Sequence, residues 1–130
     1  MSDYIQLGNL DVYKMAVELS RDAWRIYERL DWRDKKILGD QFIESTDSVG
    51  ANIAEGYGRY HYKDRIKFYY NSRGSLLESQ HWILLLYERK KISKEEFMSL
   101  LGKQKMVHSK LNSYISSCYR SITTINKSEK

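Results

Sequence analysis

Apolar residues recur three and four positions apart along most of the chain, and polar, turn-like stretches divide this pattern into four segments. In the second segment Phe42, Val49, Ile53 and Tyr57 would share one face of a helix. The chain has no proline and only seven glycines, which favours uninterrupted helices over a loop-rich or all-β domain. We therefore predict an all-α fold, a single up-down-up-down antiparallel four-helix bundle over residues 1–130. Its helices are expected at about 10–30, 35–59, 63–89 and 94–124.

Three sequence signals mark where helices begin. Asn9 and Asp34 are residue types that cap helix N-termini, and each precedes a run with helical periodicity. Ser93 followed by Glu96 matches a capping box, in which the side chain of each residue bonds to the backbone N–H of the other. We expect a helix to start directly after each of Asn9, Asp34 and Ser93.

A row of small and polar side chains lies beside the apolar row of helix two. Steps of three and four place it on one stripe that ends at Arg59. These groups either hydrogen-bond across a tight helix interface or form a site, and the chain offers no nucleophile, metal set or phosphate loop beside them. Gly74 and Ser75 of helix three are small and would let the two backbones approach closely. The predicted structural polar network consists of Ser45, Ser48, Asn52, Glu55, Arg73, Ser75 and Glu78.

Helix three is apolar on nearly all of its faces. A four-helix bundle has no fully enclosed position, so the surplus apolar faces of this helix indicate self-association. The alternative is that its many tyrosines lie at the edge of an ordinary core with their hydroxyls in water. The candidate oligomer interface consists of Tyr70, Leu77, Trp82 and Leu84.

The charge of the chain points to an acidic partner. A formal net charge of +5 and a pI near 9.2 favour nucleic acid. No acidic residue lies between Glu96 and Glu129, and tyrosines interleave with the cations that follow Tyr57, where they could stack on bases. The alternative is a solvated basic face, with the tyrosines in the core and at the interface. The candidate nucleic-acid-binding residues are Arg59, Lys63, Lys67, Lys103, Lys105 and Lys110.

Residue types that carry catalysis or bind metals are sparse. The three histidines lack metal-ligand spacing, and Glu78 with His81 forms one Glu-x-x-His element where a di-iron bundle carries two. The single cysteine, Cys118, occupies an apolar position of the last helix, and we interpret it as a small buried hydrophobe. We expect a non-enzyme with no catalytic residues, no metal and no cofactor.

The sequence also carries no membrane or export signal. Its N-terminus lacks the basic region and apolar run of a signal peptide. The longest apolar stretch, from Trp82 to Tyr87, is far shorter than the roughly 20 residues that a membrane-spanning helix needs. We predict a cytoplasmic protein that does not contact membranes.

Two stretches resemble the signature of a family of small bacterial four-helix-bundle proteins. They read NIAEGYGR at 52–59 and RGSLLE at 73–78. The family is named for open reading frames found in intervening sequences of 23S ribosomal RNA genes. Its members often have a proline shortly before the Asn-Ile-Ala-Glu-Gly run, where this chain has Gly50 and Ala51. Helix two would therefore be kinked less sharply, or kinked by glycine.

The resemblance implies a bundle that assembles into a ring-like homopentamer. The accessory proteins of diversity-generating retroelements are similar in fold, and those pentamers bind nucleic acid and a reverse transcriptase. By this resemblance the chain would be a basic oligomeric adaptor for RNA or a ribonucleoprotein. The alternative is a protein-interaction scaffold with no nucleic-acid role, whose positive charge serves solubility.

Overall fold

A computed structural model describes residues 7–128, with the side chain of the last of these left out of the description. Within these residues the regular structure is helical, and no strand is present. The fold is therefore all-α, as predicted. The four long helices are α1 (Asp11–Arg29), α2 (Asp40–Tyr57), α3 (Tyr62–Glu88) and α4 (Lys94–Ser128).

The start of the second helical segment is irregular. A single helical turn at Trp32–Asp34 passes into a π-helical turn at Lys35–Gly39, which leads directly into α2. A Cβ atom on Gly39 would lie 2.9 Å from the ring of Tyr27. The absence of a side chain at Gly39 therefore lets Tyr27 of α1 pack against this turn. By contrast, α2 continues through Gly50 without interruption. The irregularity of this segment thus lies at the π turn.

At two of the three predicted helix starts, the residue that we predicted as the N-cap is wrong. The residue before α1 is Leu10 and makes no side-chain cap, because Asn9 lies inside a preceding helical turn. At the next start the carboxylate of Asp31 accepts from the backbone N–H of Asp34 at 2.8 Å. Asp34 instead pairs with Nζ of Lys91 at 2.9 Å.

The predicted capping box is confirmed. The Ser93 N–H donates to Oε1 of Glu96 at 2.9 Å, and the Glu96 N–H donates to Oγ of Ser93 at 3.1 Å. The helix that starts here continues past the predicted end at Thr124 as far as Ser128. Its last turns therefore reach the end of the described chain.

Each helix packs against two others, in the order α1–α2–α3–α4 and back to α1. Apolar residues from all four helices meet in one core, in which Phe42, Val49 and Ile53 are completely buried, as their spacing predicted. Contacts between neighbouring helices pair rising residue numbers on one helix with falling numbers on the other. Such pairs are Ala16–Gly50 and Tyr27–Asp40, Thr46–Ser79 and Val49–Ser72, Arg73–Asn112 and Ser79–Gln104, and Asp22–Lys103 and Arg29–Glu96.

At Gly56, α2 approaches α3 too closely for a larger side chain. A Cβ atom there would lie 2.9 Å from the ring of Tyr69 and 3.0 Å from the Cβ atom of Phe68, a distance that real side chains do not tolerate without movement. The prediction that Gly74 provides this approach is wrong. Gly74 is exposed, and a Cβ atom on it would have nothing within 4 Å, because it faces away from α2.

Candidate nucleic-acid interface

The polar row of α2 bonds to its own helix. Oγ of Ser45 donates to the Phe42 carbonyl at 3.1 Å, and Oγ of Ser48 donates to the Glu44 carbonyl at 2.8 Å. The side-chain amide of Asn52 donates to the Ser48 carbonyl at 2.9 Å. Short polar side chains in helices commonly bond to the preceding turn in this way. The row therefore does not link α2 to α3.

The remaining members of the predicted network are also placed elsewhere. Glu55, on α2, and Arg59, just after the end of α2, are exposed and form an ion pair at 3.4 Å. Glu78 is exposed and accepts from Nε1 of Trp82 at 3.2 Å on its own helix. Arg73 donates to the side-chain oxygen of Asn112 on α4 at 2.7 Å. Ser75 is half-buried, and no described bond ties it to α2.

Other side chains form the buried polar link between helices. Oγ1 of Thr46 donates to the Phe42 carbonyl and lies 2.7 Å from Oγ of Ser79, so the Ser79 hydroxyl donates to Thr46. Nε2 of Gln104 in turn donates to Ser79 at 3.1 Å, which joins α2, α3 and α4. Oε1 of Gln104 is buried without a hydrogen-bond partner. Separately, Ser72 donates to the Val49 carbonyl at 2.7 Å.

The sequence contains a signal for this link that our reading missed. Ser72 and Ser79 are seven residues apart and flank Leu76, so they share a face of α3 with a core residue. Gln104 likewise sits between Leu100 and Val107 in the core pattern of α4. A polar residue at a core position is expected to find a hydrogen-bond partner in a neighbouring helix.

The structure contradicts the assignment of Lys103 as a phosphate-binding cation. Its ammonium lies 2.6 Å from Oδ2 of Asp22 and 3.0 Å from Oε1 of Glu18, both on α1. The hydrogen bond to Asp22, followed by that to Glu18, raises the pKa of Lys103 above its ordinary value. This lysine joins α4 to α1, and its charge is neutralised there.

Lys105 and Lys110 remain available on α4. Both are exposed, and neither forms an ion pair with another described residue. Lys110 borders a shallow depression together with Ser113, Tyr114 and Ser117. These two lysines stand on a stretch of helix that has no acidic side chain up to its described end.

The turn between α2 and α3 collects the other predicted cations. The guanidinium of Arg59 lies 4.8 Å from the ring centre of Phe68, and Nζ of Lys67 lies 6.0 Å from the same ring. Lys63 is exposed one turn before Lys67. The structure thus brings Arg59, Lys63 and Lys67 together at one end of the molecule. Lys105 and Lys110 lie away from this turn, on the part of α4 that contacts Ser79 and Arg73 of α3.

Arg65 is a further cation of this turn, which our list of candidate binding residues did not contain. Its Nε–H donates to the carbonyl of Arg59 at 2.7 Å and so fixes the turn. Its guanidinium lies 5.2 Å from the ring centre of Tyr62 and 5.8 Å from that of Tyr57. No described acidic side chain forms an ion pair with Arg65. Its charge is therefore held in place by rings and a carbonyl.

A cleft of about 520 Å³ opens beside this turn. One wall is the turn and the first residues of α3, and the other is the last turns of α4. Pockets for small molecules and cofactors usually fall between about 300 and 1,000 Å³. No acidic side chain of the described chain contributes to its lining, which consists of Tyr60, His61, Tyr62, Lys63, Arg65, Ile122, Ile125 and Asn126.

The apolar residues of α3 that we assigned to an oligomer interface fall on two faces. Tyr70, Leu77 and Leu84 repeat every seven residues and are exposed, by 49% in the case of Leu77. Trp82 is half-buried against the core, with its ring 4.9 Å from that of His81. We call the exposed residues Tyr70, Leu77 and Leu84 the α3 stripe. The Arg73 guanidinium lies 4.7 Å from the ring centre of Tyr70, whereas Leu77 and Leu84 are 49% and 43% exposed.

Buried ionisable groups lie in the core below the turn. Burial raises the pKa of Tyr69 to about 12, so this phenol stays neutral at ordinary pH. Burial also raises the pKa of the Cys118 thiol, and Cys118 is buried, as predicted for a small core residue. Among residues 7–128, no three His, Cys, Asp or Glu side chains form a group that could hold a metal ion.

Comparison with known proteins identifies the family. The family model for the 23S rRNA-intervening sequence protein matches residues 8–113, most of the chain. This protein belongs to the 23S rRNA-intervening sequence protein family. The matched range contains the α2–α3 turn and the α3 stripe. It ends before Ile122, Ile125 and Asn126, which form the second wall of the cleft.

A solved structure supports the fold of this 23S rRNA-intervening sequence protein. It is a crystal structure of a protein of unknown function from the S23 ribosomal protein family of Bacteroides thetaiotaomicron. The two chains are similar with a TM-score of 0.75 at 22% sequence identity, over 80% of this chain and 97% of that one. At this identity the likeness establishes the shared fold alone. No curated protein matches this chain.

Among residues 7–128, no helix is both long enough and apolar enough to cross a bilayer. This matches the absence of a long apolar run in the sequence.

Proposed function

We propose that this protein is a non-enzymatic, basic adaptor that acts as a homo-oligomer and binds nucleic acid, with RNA favoured, in the cytoplasm. The observation that carries the proposal is the cluster of cations at the α2–α3 turn. Lys63 and Arg65 lack acidic partners among the described residues, and they stand beside exposed aromatic rings. Cations contact phosphates and rings stack on bases, so this combination fits a nucleic-acid strand.

The distribution of charge supports the same partner. Acidic side chains neutralise cations where helices meet away from the turn, as Asp22 does for Lys103 and Glu96 does for Arg29. Lys63, Arg65 and Lys67 at the turn and Arg120 on α4 form no ion pair with a described acidic side chain, although Arg59 pairs with Glu55. Phosphate contacts of this kind give salt-dependent binding with little sequence preference.

For the assembly we infer an up-down-up-down four-helix bundle that associates through the α3 stripe, as a pentamer by family resemblance. The opposed numbering of contact pairs between neighbouring helices supports the bundle topology. The exposure of Tyr70, Leu77 and Leu84 supports a contact on the outer face of α3. Several copies would raise the effective concentration of a weak nucleic-acid site.

The α3 stripe also favours a second candidate, a protein-interaction scaffold with no nucleic-acid role. Apolar side chains repeated every seven residues suit a helical partner, as in coiled coils. In this alternative the turn cations would serve solubility only. The two candidates differ in whether the protein binds a nucleic acid at all.

The test is binding to a structured RNA and to duplex DNA across a salt series. We expect measurable affinity at about 50 mM salt that falls by at least tenfold by about 200 mM, as expected when phosphates are neutralised. The variant Arg59→Glu/Lys63→Glu/Lys67→Glu should bind at least tenfold more weakly at low salt. The matched control, Arg33→Glu/Lys36→Glu/Lys94→Glu, changes the net charge equally at exposed positions outside the turn and should bind nearly as wild type. Absence of binding, or binding independent of salt, would favour the scaffold.

A further inference from the structure

We propose that the cleft between the α2–α3 turn and the last turns of α4 binds an unpaired nucleotide, with its base on Tyr60 and its phosphate on Lys63 and Arg65. This inference rests on the proposed function and narrows it, because it assigns selectivity for single strands to one place in the fold.

The stacking surface of the cleft is already in place. Tyr60 lines the cleft and is 87% exposed, so its ring is largely open to solvent. The ring lies perpendicular to that of His61 at a centre distance of 5.0 Å. Stacking on an exposed aromatic face is how proteins bind bases of single strands.

The other tyrosines around the turn are not available for this role. Tyr69 is buried in the core, and Tyr57 and Tyr62 are half-buried with the Arg65 guanidinium over their rings. These rings hold the arginine and leave Tyr60 as the accessible one. The structure thus separates one stacking residue from several supporting ones.

The cations of the cleft are suited to a phosphate. The backbone carbonyl of Arg59 takes the Nε–H of Arg65, which leaves the terminal amino groups of the guanidinium for an anion. Lys63 lies two residues away on the same lining and has no ion pair among the described residues. A fixed guanidinium and a flexible ammonium together would contact a phosphate on one side of the base.

The α4 wall of the cleft offers contacts to a base. Ile122 and Ile125 form an apolar wall opposite the turn, and Asn126 adds a polar group that can hydrogen-bond to a base edge. A volume of about 520 Å³ is in the range of sites that hold one small molecule, which suits a single nucleotide. A base can stack on Tyr60 only where neighbouring bases do not cover its face, so single strands and loops are expected to bind here.

The first experiment uses the full chain with two labelled probes, a mixed-sequence single-stranded RNA and the duplex formed with its complement. The Tyr60→Ala variant should lose about tenfold in affinity for the single strand, the usual cost of removing a stacking ring, and should bind the duplex as wild type. Tyr60→Phe should retain the wild-type affinity because it keeps the ring. Trp32→Ala removes an aromatic ring of similar exposure, placed outside the cleft, and should change neither affinity.

The second experiment tests the α4 wall. Ile125→Asp adds a carboxylate to the cleft and should weaken single-strand binding about tenfold. Met98→Asp makes the same change of charge at an exposed position near the start of the same helix and should have little effect. Circular dichroism melting of each variant verifies that it is folded before its affinity is interpreted.

The outcomes separate this inference from the proposed function. Equal loss of single-strand and duplex affinity in Tyr60→Ala, or no loss in either, would overturn the nucleotide cleft and leave the adaptor intact. If inorganic phosphate competes as well as a ribonucleoside monophosphate does, the cleft recognises an anion only, and the inference is also overturned. Absence of salt-dependent binding of both probes would overturn the adaptor together with the cleft.

Discussion

Nζ of Lys103 lies 2.6 Å from Oδ2 of Asp22, and this ion pair joins the fourth helix to the first. The lysine stands two residues before Lys105, which is exposed to solvent. Residues two positions apart in an α-helix are rotated by about 200° relative to each other, so Lys103 and Lys105 point to opposite sides of α4. One of them stabilises the fold, and the other is available to a partner.

We expect Lys103→Met to lower the free energy of unfolding by about 1 kcal/mol, because the pair is partly exposed and screened by water. The control Lys105→Met should change it by less than about 0.5 kcal/mol. Urea denaturation at neutral pH measures both. Because the pKa of Lys103 is raised in the folded state, its contribution is present below the ordinary value of 10.5 and is lost as the pH rises through the folded-state value. Equal stability of the two variants would contradict this role.

A second ion pair predicts acid sensitivity. Arg29 holds the pKa of Glu96 below its ordinary value of 4.5, with the Ser93 cap acting in the same direction. A carboxylate with a lowered folded-state pKa stabilises the fold above its unfolded-state pKa, and this stability is lost as the pH falls through the folded-state value. We expect Glu96→Gln to be less stable than wild type at pH 7, and we expect this difference to shrink as the pH falls below 4.5, as measured by thermal melting. A constant difference across this range would contradict the assignment.

Two glycines should respond in opposite directions to alanine. Gly74 lies in an exposed helix interior with open space beside it, so Gly74→Ala should raise the free energy of unfolding by about 0.5–1 kcal/mol. Gly56 faces the Tyr69 ring, so Gly56→Ala should lower it by about 1–3 kcal/mol through overpacking. Chemical denaturation measures the stability of both variants. If Gly56→Ala were stabilising and Gly74→Ala destabilising, the close contact of Gly56 with α3 would be contradicted.

The end of α3 offers another site for stabilisation. Lys90 has a φ of 61°, in the left-handed region, and it follows the helix in a Schellman motif. The Lys91 N–H bonds to the Leu86 carbonyl at 2.8 Å, and the Lys90 N–H bonds to the Tyr87 carbonyl at 3.0 Å. We expect Lys90→Gly to stabilise the protein by about 0.5–1 kcal/mol, since glycine adopts this conformation without steric cost. Arg89→Gly, at a residue with a φ of −86°, should destabilise it, and thermal melting distinguishes the two outcomes.

The α3 stripe predicts self-association. Light scattering at micromolar concentration should show an oligomer for wild type and a smaller species for Leu77→Glu, because a charge in an apolar interface must lose its hydration. Met98→Glu, a control at a residue that is similarly exposed, should leave the size unchanged. A monomeric wild type would contradict the oligomer.

The helices of this chain were readable from the sequence because apolar spacing is a strong local signal. Phe42, Val49 and Ile53 are buried together, and the Ser93–Glu96 box forms as written in the sequence. These features depend on residues within about three turns of one helix. Local pattern is therefore enough to predict the elements and the family signature.

The contacts between helices were not readable in the same way. A serine on a helix can hydrogen-bond to the preceding turn of its own helix or to a neighbouring helix. The sequence from Ser45 to Asn52 is compatible with either arrangement. The choice between Gly56 and Gly74, and between Lys103 and Lys105, depends on how each helix is rotated in the fold. Part of the site at the α2–α3 turn could be predicted, since Arg59 and Lys63 are close in sequence and share one basic run. Ile125 is distant in sequence and lies beside the turn only because the helices pack together.

The Thr46–Ser79–Gln104 link has a consequence for how the helices can slide. A core made only of apolar layers can be repacked one turn out of step at modest cost, because one aliphatic layer resembles the next. Sliding α3 by one turn would displace the Ser79 hydroxyl by about 5.4 Å and leave both of its partners beyond hydrogen-bond reach in a dry interior. The link thus favours a single axial alignment of three helices.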